Sequence, residues 1–439
     1  MRRVLASTLL VPVLAGPLAA PLAAQEMVPA TLDGFSSFPA ATFTSPPADA
    51  PAENALSGRY LDPLARVDEA GAAPQRTGLN TPFEGQPVQG ISGFSVTRPE
   101  AGGLWAVIDN GFGSKRNSPD ALLSFVRLVP ALDGGTTEVA ERVWLRDPNG
   151  VVPFRIVQEG TEARLLTGGD FDTESIQVVG DQVWIGDEFG PFLISATLDG
   201  VVTGVVPAMS GEAMIKSPDN PSVAPGTGPG PTTWRSGSSG GFEGLALAPD
   251  GMLWALLEQP LRNEDGTSEA FLRLLQLDPA TGAWTGEERH FAYTEGATAI
   301  GDINFISDTR ALIIERDNNQ GLADRACAEG TLPADAKGCF PVPAAVKRVT
   351  LVEFGEGQDL ERLRQIDLMD IADPEGLGAG TADGRFSFPF QTIESVVMDG
   401  PEHILLANDN NLPFSSGRDP DLPDNNETIR LHVPELLAE

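Results

Sequence analysis

One unit recurs along this chain, and it limits the possible folds more than any other feature. It begins with an acidic or small polar residue and a short apolar run. A Gly/Asp turn, a second apolar run and a cluster of acidic or amide residues follow. The clearest copy runs from Asp172 through Glu174 and Val179, turns at Gly180-Asp181, and continues from Val183 to Asp187-Glu188. A second runs from Gly241-Phe242-Glu243 through the turn Pro249-Asp250-Gly251 to Leu257-Glu258. A third joins Gly301-Asp302-Ile303-Asn304-Phe305 to Ala311 through Glu315-Arg316-Asp317. A fourth joins Ile393-Glu394 to Ala407-Asn408-Asp409 across Asp399-Gly400. A degenerate early copy starts at Gly90 and ends Ile108-Asp109-Asn110. Each reads as an antiparallel hairpin of β-branched and aromatic residues closed by turn residues.

Segments between the copies, such as Phe271–Leu277 and Val349–Phe354, supply further strands. Four-stranded antiparallel sheets repeated around an axis are the β-propeller architecture, so the expected fold class is all-β, a propeller. Five copies are legible and the length leaves room for a sixth, so six blades are expected, with seven as the alternative. A β-sandwich also accommodates many short strands but needs no repeat. The terminal run Thr428–Val433 is placed as a strand that closes the ring.

The chain opens Met1-Arg2-Arg3, runs apolar from Val4 to Leu22 and reaches Ala23-Ala24, the pattern of a secretory signal peptide over residues 1–24. Pro12, Pro17 and Pro21 interrupt the run, which makes it a poor spanning helix. Residues 25–439 are expected to form a single domain, periplasmic or secreted and monomeric. The two cysteines, Cys327 and Cys339, read as a local disulfide worth about 2–3 kcal/mol. With 62 acidic against 29 basic residues the formal charge is −33. Such a chain does not bind nucleic acid by general attraction, and no membrane insertion is expected.

The start of the first strand of a hairpin and the end of the second lie at the same end. Glu174 therefore comes near Asp187 and Glu188, Glu243 near Glu258, Asp302 near Glu315 and Asp317, and Glu394 near Asp409. Equivalent hairpins in every blade would place these ten carboxylates at one mouth of the central channel. Like charges that close are costly unless protonated or met by cations, and hard oxygen ligands suit Ca²⁺. The plainer reading is that they cap strand ends by accepting backbone N–H bonds.

The phrases Asp187-Glu188-Phe189-Gly190-Pro191-Phe192, Gly241-Phe242-Glu243-Gly244-Leu245-Ala246, Glu315-Arg316-Asp317-Asn318 and Asn408-Asp409-Asn410-Asn411-Leu412-Pro413-Phe414 resemble bacterial phytase-like proteins, described by an esterase-like activity of phytase. The resemblance runs from about Gly90 to Arg430. It implies a propeller and an exported phosphoric ester hydrolase acting on a small anionic phosphoester.

Within that expectation Glu188 is a candidate general base, with Asp187 beside it, and Arg316 is the best-placed grip for phosphate. Lys115, Arg116, Arg262 and Arg418 follow other strand ends and read more simply as surface ion pairs. Gly237-Ser238-Ser239-Gly240-Gly241 fits Gly-x-Ser-x-Gly, but it lies in a Gly/Pro/Ser-rich loop rather than between a strand and a helix, so a nucleophilic elbow is not expected there. His290, His403 and His432 read as structural. Trp105, Trp184 and Trp254, at equivalent places in three second strands, read as blade core. Two other functions stay open: a Ca²⁺-dependent lactonase or arylesterase, and a non-catalytic propeller that binds a ligand or partner.

Overall fold

The computed structural model describes residues 26–59, 77–88, 90–109, 111–263, 265–332 and 335–438. The proposed signal peptide lies outside them. Strand β1 (Thr31–Phe38) opens the propeller. Sheet one is β2 (Ile91–Phe94), β3 (Leu104–Ile108), β4 (Ser124–Val129) and β5 (Glu138–Trp144). Sheet two is β6 (Thr173–Val179), β7 (Gln182–Asp187), β8 (Phe192–Thr197) and β9 (Val202–Pro207). Sheet three is β10 (Phe242–Leu247), β11 (Leu253–Leu257), β12 (Leu272–Asp278) and β13 (Ala283–Phe291). Sheet four is β14 (Ala299–Phe305), β15 (Arg310–Arg316), β16 (Lys347–Glu353) and β17 (Glu361–Asp367). Sheet five is β18 (Thr392–Met398), β19 (His403–Asp409) and β20 (Asn426–His432), completed by β1.

The innermost strands pack in a closed cycle: β2 on β6, β6 on β10, β10 on β14, β14 on β18, and β18 back on β2. The five copies read from the sequence are these five inner hairpins. The sixth sheet expected from length does not occur among the described residues. The extra residues instead enter long connections, 145–172, 208–241, 317–346 and 368–391. The terminal strand closes the ring as expected: β20 pairs antiparallel with both β19 and β1, so strands from the two ends of the chain complete one sheet.

Alternation along each strand sends apolar side chains to both faces of the inner strands, because each sheet is covered on both sides by its neighbours. Trp184 and Trp254 are fully buried and Trp105 nearly so, each within the packing between sheets. The outer strand β13 is mostly polar and exposed, as an edge must be. Cys327 and Cys339 form a disulfide within the 317–346 connection.

Two buried amides close the channel and tie the five sheets together. Asn304 on β14 donates to the carbonyls of Phe94 (3.0 Å) on β2 and Val396 (2.8 Å) on β18. Gln177 on β6 donates to the Leu245 carbonyl (2.7 Å) on β10 and to Asn304 Oδ1 (2.8 Å), and accepts from Val96 N–H (3.1 Å). All five inner strands thus meet in one hydrogen-bonded plug.

Candidate functional site

The inner hairpins share an irregularity that builds the site. In β6–β7 the ladder pairs Thr173 with Asp187 and Ser175 with Gly186, leaving Glu174 bulged. The same step bulges Glu243 in β10–β11, Glu394 in β18–β19 and Ser92 in β2–β3. In β14–β15 the bulge holds two residues, Gly301 and Asp302. A bulge adds a residue without a ladder partner and re-aims its side chain, and such bulges concentrate beside active sites. One residue past the ladder position opposite each bulge stand Asp109, Glu188, Glu258, Arg316 and Asp409. Two tiers result: the lower holds a glutamate in three sheets, Ser92 in sheet one and Gly301-Asp302 in sheet four, and the upper is acidic in four sheets and basic, with Arg316, in sheet four. Gly301 is required by packing: a Cβ there would lie 1.9 Å from the Ile393 carbonyl oxygen of the next sheet.

Arg316 neutralises one side of the mouth. It is 4 % exposed, and its Nη2 donates to Glu394 (3.1 Å), Glu258 (3.3 Å) and Glu243 (3.4 Å), while Nη1 donates to Asn318 Oδ1 (2.6 Å). Burial works against its charge, but the three glutamates outweigh this and raise its pKa further. The opposite side holds Asp109, Asp172 and Glu174, one oxygen from each lying within 4.8 Å of the others. Asp109 is half-buried and opens this side, whereas Asp172 and Glu174 are buried. Glu188 is 4 % exposed, and its Oε1 has no hydrogen-bond partner.

The electrostatics follow from this crowding. Burial, reinforced by Asp109 and Asp187, pushes Asp172 well above the carboxylate range. Burial with Asp109, Asp172, Glu243 and Glu394 does the same to Glu174. Glu188 is raised by burial and by Glu258, Asp172 and Glu394, with Arg316 opposing. Burial raises Glu243, Glu258 and Asp409 too, and lifts Glu394 to about 7 despite Arg316. Crowding of this kind favours the uptake of protons or a cation over leaving every carboxylate charged.

Of the ten candidate metal ligands, the structure brings together Glu174, Glu188, Glu243, Glu258, Glu394 and Asp409. It sets four apart. Asp187 accepts from the N–H groups of Asp172 (2.8 Å) and Gly190 (2.7 Å) and fixes the turn after β7; burial puts its pKa at about 6. Asp302 lies deeper, accepting from the Val396 (2.9 Å) and Ile303 (2.8 Å) N–H groups beside the plug. Glu315 points into its own sheet, held by Arg362, Thr350 and Gln365. Asp317 clamps the following loop through Lys347 (3.1 Å) and the N–H groups of Ala345 (2.8 Å) and Val346 (3.1 Å). For these four the plainer reading, capping of backbone and structural pairing, describes the contacts made.

Asp187 and Arg316, named as catalytic candidates, are likewise occupied: one by a turn, the other by three glutamates rather than held free for phosphate. Arg418 is bound to Glu427 and the Ser387 carbonyl, and Arg262 stacks on Trp234. Lys115 reaches the Asp219 carbonyl (3.2 Å) and lies over Phe189. Asp109 and Asp172 were not among the candidates, although both stand in the repeat copies. Comparing strand ends across all five copies, the early degenerate one included, singles out Asp109.

No curated protein matches the sequence. Solved structures of similar shape include virginiamycin B lyase from Staphylococcus aureus, at 11% identity, covering 79% of this chain and 95% of that one, TM-score 0.30. A putative 6-phosphogluconolactonase from Bacteroides uniformis shares 12% identity over 80% of this chain and 74% of that one, TM-score 0.31. A Bacillus subtilis arabinanase shares 10% over 79% and 94%, TM-score 0.35. With scores below 0.5 these likenesses carry no function over to this chain. The sequence profile of one family does match, over residues 86–412, which span all five inner hairpins and every carboxylate of the mouth; the chain belongs to the phytase-like family, described as esterase-like activity of phytase.

Proposed function

We propose that the protein is a metal-dependent phosphoric ester hydrolase whose cation, best matched by Ca²⁺, is held by Asp109, Asp172 and Glu174. The observation that carries this reading is the convergence of three carboxylate oxygens within 4.8 Å on one side of the mouth. The donor set is all oxygen, without histidine or cysteine, which suits a hard cation. The unpartnered Glu188 Oε1 is a second buried acceptor in the same mouth. A bound divalent cation would polarise a phosphoryl oxygen and offset the negative charge of the site.

The chain's own residues supply the rest. Glu188, with its unpartnered Oε1 in the mouth, is placed to take a proton from water, and a bound cation would offset the burial and acidic neighbours that raise its pKa. Arg316 holds Glu243, Glu258 and Glu394 in place and keeps their charge from the substrate. The amide plug below excludes bulk water from the far side. A second reading, hydrolysis of an ester or lactone, is favoured by one observation: the only arginine in the mouth among the described residues is committed to glutamates, leaving no basic grip that a phosphate would use.

The test is turnover of phosphomonoesters, phosphodiesters, phytate, aryl esters and lactones, with calcium and with chelator, by the wild type and Glu188→Gln. Calcium-dependent phosphate release, lost at least 100-fold in the variant, is expected. Turnover of esters or lactones alone selects the second reading. No turnover at all, with calcium raising the melting temperature, rejects both in favour of a binding propeller.

A further inference from the structure

The mouth is acidic, yet its proposed substrate is an anion. The segment Ser236–Gly241, entering β10, offers the missing donors. Ser238 and Ser239 form a turn closed by Gly240, while the backbone N–H groups of Gly237, Ser238, Ser239 and Gly241 have no hydrogen-bond acceptor among the described residues. Gly237 and Gly241 are buried, and buried N–H groups are rarely left without an acceptor. The row is held in shape from several sides. Ser236 Oγ donates to the Gly240 carbonyl (2.6 Å), and Ser238 Oγ is bonded to the Asp219 carboxylate. Gln259 Nε2 lies 3.4 Å from the Ser239 carbonyl and 3.3 Å from Glu258 Oε2, which ties the segment to the acidic tier. A Cβ at Gly237 or Gly240 would meet the movable end of the Gln259 side chain at 2.0 and 2.7 Å, so a larger residue at either place would displace the brace. A Cβ at Gly241 would lie 2.5 Å from Glu188 Cα, which puts the end of the row against the proposed base.

Ser239 completes the arrangement. It has φ +40°, a backbone conformation rare for any residue but glycine, and its side chain stands beside Asp172 of the proposed cation seat. Strain of this kind persists where the surroundings enforce it and collects at functional sites. Successive N–H groups around a left-handed residue form anion-binding concavities.

We propose that Gly237–Gly241 is an oxyanion cradle, in which backbone N–H groups and the Ser239 hydroxyl receive phosphoryl oxygens of the substrate beside the cation seat. This rests on the mouth being the reaction site. It assigns the Gly-x-Ser-x-Gly sequence a role as donor array, with no covalent step at Ser239. It also gives an anion donors that Arg316, committed to three glutamates, does not offer.

The test follows inorganic phosphate binding to the full chain with calcium present. Calorimetry gives the affinity, and amide ¹H–¹⁵N shifts report on residues 237–241. Wild type, Ser239→Ala and Thr285→Ala are compared, and calcium affinity is measured separately for each. The cradle predicts phosphate-dependent shifts at several of the amides in 237–241. It also predicts about a tenfold loss of phosphate affinity in Ser239→Ala, with Thr285→Ala, on the exposed outer strand β13, within twofold of wild type. Phosphate that binds without moving these amides overturns the cradle and leaves the cation seat standing. Amide shifts on phosphate addition in a protein that binds no calcium support the cradle and overturn the seat. Absence of phosphate binding in a calcium-loaded protein overturns the cradle alone.

Discussion

Replacing Arg316 by methionine keeps the side-chain length and removes the one cation that Glu243, Glu258 and Glu394 share. In the wild type those three contacts lie between 3.1 and 3.4 Å and all four side chains are nearly inaccessible. Leaving buried charges without their partner typically costs about 3–5 kcal/mol. With an unfolding entropy of about 2.1 cal/mol/K per residue, roughly 400 folded residues give about 0.8 kcal/mol/K, so the melting temperature falls by about 4–6 °C. The loss depends on pH in a known direction. At pH 8 the three glutamates are driven to ionise without a counter-charge, and the full loss is expected. At pH 5 they can stay protonated, because burial already places Glu394 at about 7 even with the arginine present, and the loss shrinks to about 1–2 °C. Melting curves of both proteins with chelator, at pH 5 and pH 8, decide the matter. Equal destabilisation at the two pH values would show that Arg316 acts by packing and would refute the charge argument.

Three further outcomes follow from the same geometry. Because Glu394 moves from 4.5 unfolded to about 7 folded, the folded state holds the extra proton, so metal-free stability falls as pH rises from about 4.5 through 7. That group alone contributes about 3 kcal/mol, and denaturant titrations from pH 4 to 8 with chelator should show the decline and calcium should suppress it. Asn304→Leu strips the Phe94 and Val396 carbonyls and Gln177 of their partner at the centre of the plug; a loss of about 3 kcal/mol or more is expected in urea unfolding, and a loss below 1 kcal/mol would mean that the plug does not bind the sheets together. Gly301→Ala sets a Cβ against a backbone carbonyl that cannot yield, so the variant should be insoluble or lose over about 4 kcal/mol, and a wild-type melting curve would contradict the packing described.

Much of the architecture was legible because each inner hairpin carries its own signature: apolar strand, turn, apolar strand, acid. The number of sheets was not. Length suggested a sixth, but length in a repeat fold divides between blades and connections, and the connections leave no periodic trace. The site was legible to the nearest residue but not always to the right one. Along a strand a shift of one residue turns a side chain to the other face. Asp187 and Glu188 are neighbours, yet one fixes a turn and the other faces the mouth. In the fourth hairpin two bulged residues replace one, which carries Asp302 away from the mouth, and the strand-end place held by Glu188 in the second hairpin falls to Arg316 rather than Glu315. Reading the bulge from sequence requires knowing the pairing register, which the repeat alone does not reveal. Asp109 escaped notice because its copy is degenerate, with Ser92 where three others have glutamate. The donors of Gly237–Gly241 are backbone groups, and no side-chain pattern announces them.

The measurement that tests the central claim most directly is a crystal structure of the purified protein grown with calcium, with anomalous data collected to locate the ion. The account predicts a peak with oxygens of Asp109, Asp172 and Glu174 about 2.3–2.6 Å away. A mouth without a peak, in a protein that still hydrolyses phosphoesters under the same conditions, would contradict it.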